Sequence, residues 1–408
     1  MEDHGLDTKL LERFLKEKYC NAKPVEVIST DVKRAVPVGD NYGSIVYRVK
    51  FNTLTASGKT KQRSLIIKTV AEWIKVLKGA NITASPTFRT EITNYSTVLS
   101  FMEDLMEEFE DKRCKLWPEM IGNVPYNMIA FEDLTEDLYI GAKRTNGMDF
   151  KESMLVMRSL GRFHAMSKVL IDRGFISQQD KGQLAHATES EFFEKLWLVY
   201  FTVLSGAMEE WGQEWGNMAK KLSQLGSKAN KRWAELGGTY DKKFEVLNHG
   251  DLWLCNLLFK RMEFEETPVS VKFVDFQCTH LNSFIWDVEY FLHTSTIPSV
   301  RRANKDLLHS AYQESLEKNL NFFNYSGYIP TLDDVKAESQ RIQFAGMCCT
   351  VLQPLVTSGQ MFGIEKIMTN SPEQVVDKSV YADGRAQELI GEDLKNFYDN
   401  GVMDVTSC

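Results

Sequence analysis

Asp251, Asn256 and Asp275 are the residues around which chemistry can be built in this chain of 408 residues. Asp251 lies in His249-Gly250-Asp251-Leu252-Trp253-Leu254-Cys255-Asn256, so a carboxylate and a carboxamide stand five positions apart. Phosphoryl-transfer loops use this spacing to set one side chain on an acceptor hydroxyl and another on a magnesium ion. A second carboxylate follows in Val274-Asp275-Phe276-Gln277, after a run in which Val269, Val271 and Phe273, with Phe276 beyond, interleave with Ser270 and Lys272. The alternation predicts a strand that delivers Asp275 to the edge of a site. Leu257-Leu258-Phe259-Lys260 predicts its partner strand, and the acidic stretch from Glu263 to Pro268 a hairpin loop. Folding would then bring Asn256 and Asp275 together at one end of the hairpin. His-Gly-Asp alone is usually a turn, since glycine supplies unusual backbone angles and Asp caps them; the signal comes from the whole constellation.

The upstream chain supplies candidates for the rest of such a site. Leu6, Leu10, Leu11, Phe14 and Leu15 share one stripe of an amphipathic helix over Asp7–Tyr19. After Pro24 the pattern predicts strands over Val25–Thr30, Ala35–Val38 and Ser44–Thr53, the last with Ile45, Tyr47, Val49 and Phe51 on one face. Gly39-Asp40-Asn41-Tyr42-Gly43 sits between two of these strands. It is either a plain hairpin turn or a loop whose amides approach phosphates, as glycine permits. Leu65–Val70 predicts a strand with Lys68 in its middle. Ser85-Pro86 starts a helix carrying Phe88, Ile92, Tyr95, Leu99, Met102 and Met106 at helical spacing, with Glu91 in its second turn. A strand lysine steadied by a helix glutamate aims an ammonium at the α- and β-phosphates; otherwise both are solvated charges. Asn127–Leu134 predicts an edge strand running into an acidic turn, and the lobe boundary falls there, dividing 1–132 from 133–408. At such a connection backbone groups around Glu132 and Leu134 would meet an adenine ring. From Asp149 onward the chain reads as helical, with Leu155, Leu160, Phe163 and Met166 on a buried stripe and His164 beside it as a hydrogen-bonded core residue. A helical insertion near 185–240 carries Trp197, Trp211, Trp215 and Trp233.

Composition bounds the reading. Hydrophobic residues at 43%, charged residues at 25% and only 10 prolines describe a globular protein. The net charge of −8, without an arginine-rich run, argues against a nucleic-acid partner. No apolar run approaches membrane-spanning length, and the acidic start, Met1-Glu2-Asp3-His4-Gly5, lacks the features of a signal peptide. Seven cysteines without C-x-x-C spacing read as reduced thiols, which points to the cytosol.

Taken in order, the chain resembles the kinase-like phosphotransferases, and among them the small-molecule kinases of the choline and aminoglycoside type. More narrowly it resembles the ecdysteroid-kinase-like family of insects. The resemblance is carried by Gly39-Asp40-Asn41-Tyr42, Glu132-Asp133-Leu134, Phe163-His164-Ala165, His249-Gly250-Asp251-Leu252-Trp253 and Val274-Asp275-Phe276-Gln277, over roughly residues 35–300. It implies an α+β, protein-kinase-like fold of two lobes, a five-stranded antiparallel sheet with one helix over a larger helical lobe, and ATP with Mg2+ in the cleft. On matching positions, Asp251 would orient the acceptor hydroxyl and take its proton. Asn256 and Asp275 would hold magnesium, and Lys68 with Glu91 would fix the phosphates. Gly39, Asn41, Tyr42, Gly43, Glu132 and Leu134 would border the nucleotide, and Asp287 would brace the catalytic loop. Gln277 stands where protein kinases have glycine, Trp253 where they have a second lysine, and no Ala-Pro-Glu segment follows, which argues against a protein substrate. The partner implied is a small-molecule alcohol, largely apolar, such as an ecdysteroid or a hydroxylated plant compound or xenobiotic. Leu252, Trp253, Leu254, Phe284, Ile285, Trp286, Tyr290 and Phe291, with an apolar helix over Phe344–Val356, would wall its pocket, although aromatic stripes more often pack a core. Three alternatives stand beside this reading: a choline- or aminoglycoside-type kinase, a catalytically silent binder of the same fold, and an Fe(II) oxygenase using His249, Asp251 and either His293 or His309.

Overall fold

The structure is a computed structural model, and it describes residues 6–19, 26–36, 44–54, 58–71, 86–143, 147–177, 191–262, 267–358, 366–367, 370, 372–382 and 384–404. The glycine turn expected at Gly39, Asp40, Asn41, Tyr42 and Gly43 lies outside the described residues.

Helix α1, Thr8–Lys18, starts where the Asp7 carboxylate accepts from the Leu10 amide at 2.7 Å. It buries Leu11, Phe14 and Leu15 on the sheet of strands β1 (Glu26–Arg34), β2 (Ser44–Leu54), β3 (Thr60–Val70), β4 (Met120–Val124) and β5 (Met128–Glu132). All neighbours are antiparallel, in the order β1-β2-β3-β5-β4. Two expectations are corrected. Asn127–Leu134 contains no edge strand, because β4 lies outside β5; five residues without alternation gave β4 no periodic signal. Ala35 and Val36 start no separate strand, since pairing with β2 runs through β1 and on to the Ala35 amide, which donates to Val46 O at 2.8 Å. Between β3 and β4 stand α2 (Pro86–Thr93), a π-turn over Asn94–Val98, and α3 (Leu99–Glu108). The expected stripe, Phe88, Ile92, Tyr95, Leu99, Met102 and Met106, is buried along all three.

The remainder is mostly helical, giving the kinase-like two-lobe fold. Helix α4, Phe150–Asp172, is opened by a capping box of Asp149 and Glu152. Helices α5 (Glu191–Trp211), α6 (Gly216–Leu225) and α7 (Ala229–Gly238) follow. Then come α8 (Trp286–Thr294), α9 (Pro298–Phe322), α10 (Leu332–Arg341), α11 (Gln343–Ser358) and, after two short helices, α12 (Gly384–Asp399). Two small sheets lie among them: β6 (Tyr139–Gly141), β8 (Leu257–Arg261) and β9 (Pro268–Phe273) in one, β7 (Glu245–Asn248) and β10 (His280–Ser283) in the other. Helix α4 packs directly on α9 at Gly161, where a Cβ would fall 2.6 Å from Tyr312 O. His164, three residues on, is fully buried and bonded at 2.8 Å to the Tyr312 hydroxyl, the core role expected for it. The apolar face of this region divides into two cores. One joins α2–α4, the small sheets, α8 and α9. The other joins α5 and α6 to α11 and α12.

A buried polar knot ties α8 to its neighbours. Glu289 accepts from Ser339 of α10 and pairs with His309 and Lys305 of α9 and with His293 one turn along α8. His293 Nδ1 lies 2.8 Å from the Thr350 hydroxyl of α11, and Gly346 leaves room for the ring. Burial, reinforced by the positive charge of Arg301, pushes His293 down to about 4, and the pull of Glu289 does not reverse it. The folded protein therefore keeps His293 neutral where the unfolded chain would protonate it, so this contribution to stability is complete above about pH 6.5 and is lost as pH falls towards 4. Urea unfolding should show the wild type losing about 2 kcal/mol more than His293→Gln between pH 7.5 and 4.5. Equal losses would remove His293 from the acid response.

Candidate active site

Strand β7 delivers the chain to His249, and a helix-borne carboxylate fixes the loop that begins there. Asp287 Oδ2 accepts from the His249 amide at 2.5 Å and Oδ1 from the Gly250 amide at 2.9 Å, while His164 Nε2 lies 3.4 Å from Oδ2. Burial opposes ionisation of Asp287, yet His164, His249 and the Gly250 amide hold its carboxyl below the usual range. Farther along the loop, the Leu254 amide donates to the Ser295 hydroxyl at 2.9 Å. Gly250 has φ +80° and a Cβ there would come within 2.1 Å of Cys278 O, so no other residue fits without displacing that backbone.

Asp251 projects from this fixed loop. Its Oδ1 accepts from the Tyr290 hydroxyl at 2.9 Å and its Oδ2 from Asn256 Nδ2 at 3.0 Å. Asn256 Nδ2 also donates to Asp251 O at 2.8 Å, leaving the Asn256 carboxamide oxygen on the other side of the planar group. Burial, with the nearby charge of Asp275, pushes Asp251 up to about 7.

The expected hairpin forms and brings Asn256 beside Asp275. Leu257 pairs with Phe273, and the Val274 amide donates to Asn256 O at 3.0 Å. His249 donates from Nε2 to Val274 O at 3.0 Å and accepts at Nδ1 from the Asp251 amide. Two details depart from the sequence pattern. The strand ends at Phe273, and Asp275 stands beyond it in the left-handed region at φ 70°. The alternation is also broken, because Val269 is exposed while Lys272 is buried, its ammonium bonded to Trp117 O at 3.0 Å and lying 3.4 Å from Glu132 Oε1.

Lys68, on β3, lies 2.7 Å from Glu91 Oε2 on α2 and 2.6 Å from Asp275 Oδ1. Neither is a solvated charge: both Lys68 and Glu91 are buried. Burial opposes the charge on Lys68, but Asp275 and Glu91 together hold the ammonium above its ordinary value. Burial pushes Glu91 up to about 7; Lys68 resists this and Asp275 adds to it. One cation thus serves two carboxylates. Asn94, one turn after Glu91, donates to Phe276 O at 3.2 Å and to the Thr279 hydroxyl at 2.5 Å, tying the helix to the turn that carries Asp275.

These groups open into a cleft of about 370 Å³. Val46, Arg48, Ile66 and Lys68 line one side, Phe131 to Thr135 the connector, and Leu254, Asn256, Leu258 and Asp275 the floor. Glu132 and Leu134 are therefore at the cleft, Glu132 with its side chain accepting from the Glu119 amide and Leu134 buried. Asp133 between them holds Arg48, Ser64 and Thr135. Tyr95 also lines the cleft, packed on Phe131 at 4.8 Å between ring centres, and its buried hydroxyl finds no partner among the described residues.

The donor set suits a nucleotide with magnesium. Magnesium keeps waters and takes one or two protein oxygens plus phosphate oxygens, so it needs no all-protein cage. The Asp275 carboxylate and the Asn256 carboxamide oxygen are such a pair, and the Tyr95 hydroxyl is an atom that a ligand in the cleft can satisfy. Among the described residues no three His, Cys, Asp or Glu side chains form a metal cage, so the His249–Asp251 facial triad is not assembled; His293 and His309 converge on Glu289 instead. Sequence reasoning missed Ser295, Asn94 and Lys272 and counted Tyr290 only as apolar wall. The three-residue spacing of Asp287 and Tyr290, which puts both on one helix face, was the signal available for Tyr290.

The chain belongs to the ecdysteroid kinase-like family, whose model matches residues 38–325. Membership points to a kinase-type phosphotransferase acting on small molecules. Comparison with curated proteins gave no match.

Asp287→Asn retains one acceptor oxygen but sets an amide donor against a backbone donor. It should cost about 2–4 kcal/mol in denaturant unfolding. Hydrogen exchange at the His249 and Gly250 amides should accelerate in parallel. Unchanged exchange at these two amides would show that the loop is held by something else.

Proposed function

We propose that the protein transfers the γ-phosphoryl group of ATP to a hydroxyl of a small, largely apolar alcohol, an ecdysteroid or a hydroxylated xenobiotic. The observation that carries the reading is the junction of Lys68, Glu91 and Asp275 in the cleft, joined through the Val274–Asn256 hydrogen bond to the loop that presents Asp251. Mg·ATP, when bound, supplies the transferable group and a cation that neutralises its oxygens. Lys68 would meet the phosphate oxygens, Glu91 would keep it aimed, and Asn256 and Asp275 would hold the cation. Asp251 accepts a hydrogen bond from the acceptor alcohol and takes its proton as the new O–P bond forms and the bond from the γ-phosphorus to the bridging oxygen breaks, releasing ADP. Phosphoryl transfer asks mainly for positioning and charge neutralisation, so this set suffices.

The family supports an apolar acceptor more strongly than the aromatic residues do. Phe284, Ile285, Trp286 and Phe291 are buried, as are Phe344, Met347, Cys348 and Val351 of α11, and they pack cores. Tyr290 alone of the expected aromatic wall after Asp275 is half-exposed. Among the described residues no helix is long and apolar enough to cross a membrane, and Cys114, Cys278, Cys348 and Cys349 are free thiols, in keeping with a reducing compartment.

The decisive experiment is product detection by mass spectrometry after incubation with Mg·ATP and parallel panels of ecdysteroids, apolar alcohols, choline and aminoglycosides. Phosphorylation is expected in the first two panels; transfer confined to the last two would move the protein to the choline and aminoglycoside class. Asp251→Asn should keep the fold and nucleotide binding and lower kcat by about 10²–10⁴-fold. Asp275→Asn should weaken ATP binding in calorimetry only when magnesium is present. Equal weakening without the metal would make Asp275 a purely structural partner of Lys68.

A further inference from the structure

Tyr290 stands three residues after Asp287 on α8, so the two side chains leave the helix on one face. Asp287 holds the backbone of the catalytic loop, and Tyr290 reaches the loop's side chain, its hydroxyl donating to Asp251 Oδ1 at 2.9 Å. The neighbours Val288, Glu289 and Phe291 are buried, whereas Tyr290, like Asp251, is only partly buried. Asn256 takes the other carboxylate oxygen from the loop side. A carboxylate held by one oxygen still turns about its Cβ–Cγ bond; held by both, it presents its remaining lone pairs in fixed directions.

We propose that Tyr290 is a positioning residue for phosphoryl transfer, holding Oδ1 of Asp251 so that its free lone pair faces the acceptor hydroxyl while Asn256 holds Oδ2. This rests on the reading of Asp251 as the group that meets the acceptor. Burial and the nearby Asp251 charge push the Tyr290 hydroxyl well above the ordinary phenol range, so it remains a donor at every working pH. Thr294 stiffens this turn of the helix, its hydroxyl donating to Tyr290 O at 2.7 Å.

The test uses the full chain with Mg·ATP, measuring ADP release with ecdysone as the acceptor probe and, separately, with water alone. Tyr290→Phe keeps the ring and removes the donor. It should lower kcat about 10- to 100-fold in both assays, the scale expected for a misplaced catalytic group, and leave the KM for Mg·ATP within about twofold of wild type. Tyr290→His, which restores a donor, should recover part of the loss. A kcat within about twofold of wild type, or a fall in kcat matched by weaker Mg·ATP binding and no recovery with His, would overturn the proposal. A crystal structure of the ligand-free Tyr290→Phe protein reads the hold directly. The Asp251 carboxylate should turn from its wild-type orientation, and an unchanged orientation would overturn the proposal as well. If the wild type released no ADP with either acceptor, the kinase reading itself would fall, and the crystallographic comparison would still decide whether Tyr290 orients Asp251.

Discussion

The structure depends on a single buried carboxylate, that of Asp287, and on the backbone amides of His249 and Gly250 that it accepts. Taking a carboxylate out of water costs several kcal/mol unless donors replace the lost solvent, and here two amides and a histidine do so. The compensation works only while the loop and α8 stay together. The loop geometry is therefore imposed by a helix that arrives 36 residues later than Asp251 in the chain, and Gly250 is required because the same close packing presses Cys278 O against its Cα. Asp251, Asn256 and the Val274–Asp275 step inherit their places from this contact.

The second constraint is a surplus of negative charge across the lobes. Lys68 faces Glu91 and Asp275 together, and Asp275 in turn raises Asp251, so two carboxylates share one ammonium and a third lies within reach of their charge. Such a cluster is relieved either by proton uptake, which the raised Glu91 and Asp251 show, or by added positive charge. Asn94 keeps the helix bearing Glu91 tied to the Phe276–Thr279 turn, so the arrangement is assembled before any ligand arrives.

Much of this was legible in the sequence, for physical reasons that differ from residue to residue. The stripe from Phe88 to Met106 survived even a π-turn, because burial follows the same face on either side of it. The hairpin joining Asn256 to Asp275 was readable from two apolar runs and the acidic stretch between them. Strand β4 was not, since its five residues gain their strand character only by pairing with β5. Lys272 misled the reading of alternation: its long apolar stem is buried, and its charge is satisfied by Trp117 O and Glu132, partners more than a hundred residues away. Tyr290 was hidden for a related reason, since an aromatic residue on a helix reads as packing until its hydroxyl is seen to have a partner. Phe284, Trp286 and the apolar residues of α11, which could have walled a pocket but whose spacing favoured packing, are core.

The partition of the helical region into two cores bears on how the chain can diverge. Asp251, Asn256 and Asp275 all belong to segments packed in the first core, and Trp233, tilted against Trp197 at 5.0 Å and edge-on to Trp286 at 5.1 Å, is one of the side chains touching both. The second core is completed by α11 and α12, which lie beyond residue 325, where the family match ends. Substitutions there alter packing without touching Asp251, Asn256 or Asp275, so their effects on stability should add to those of substitutions in the first core.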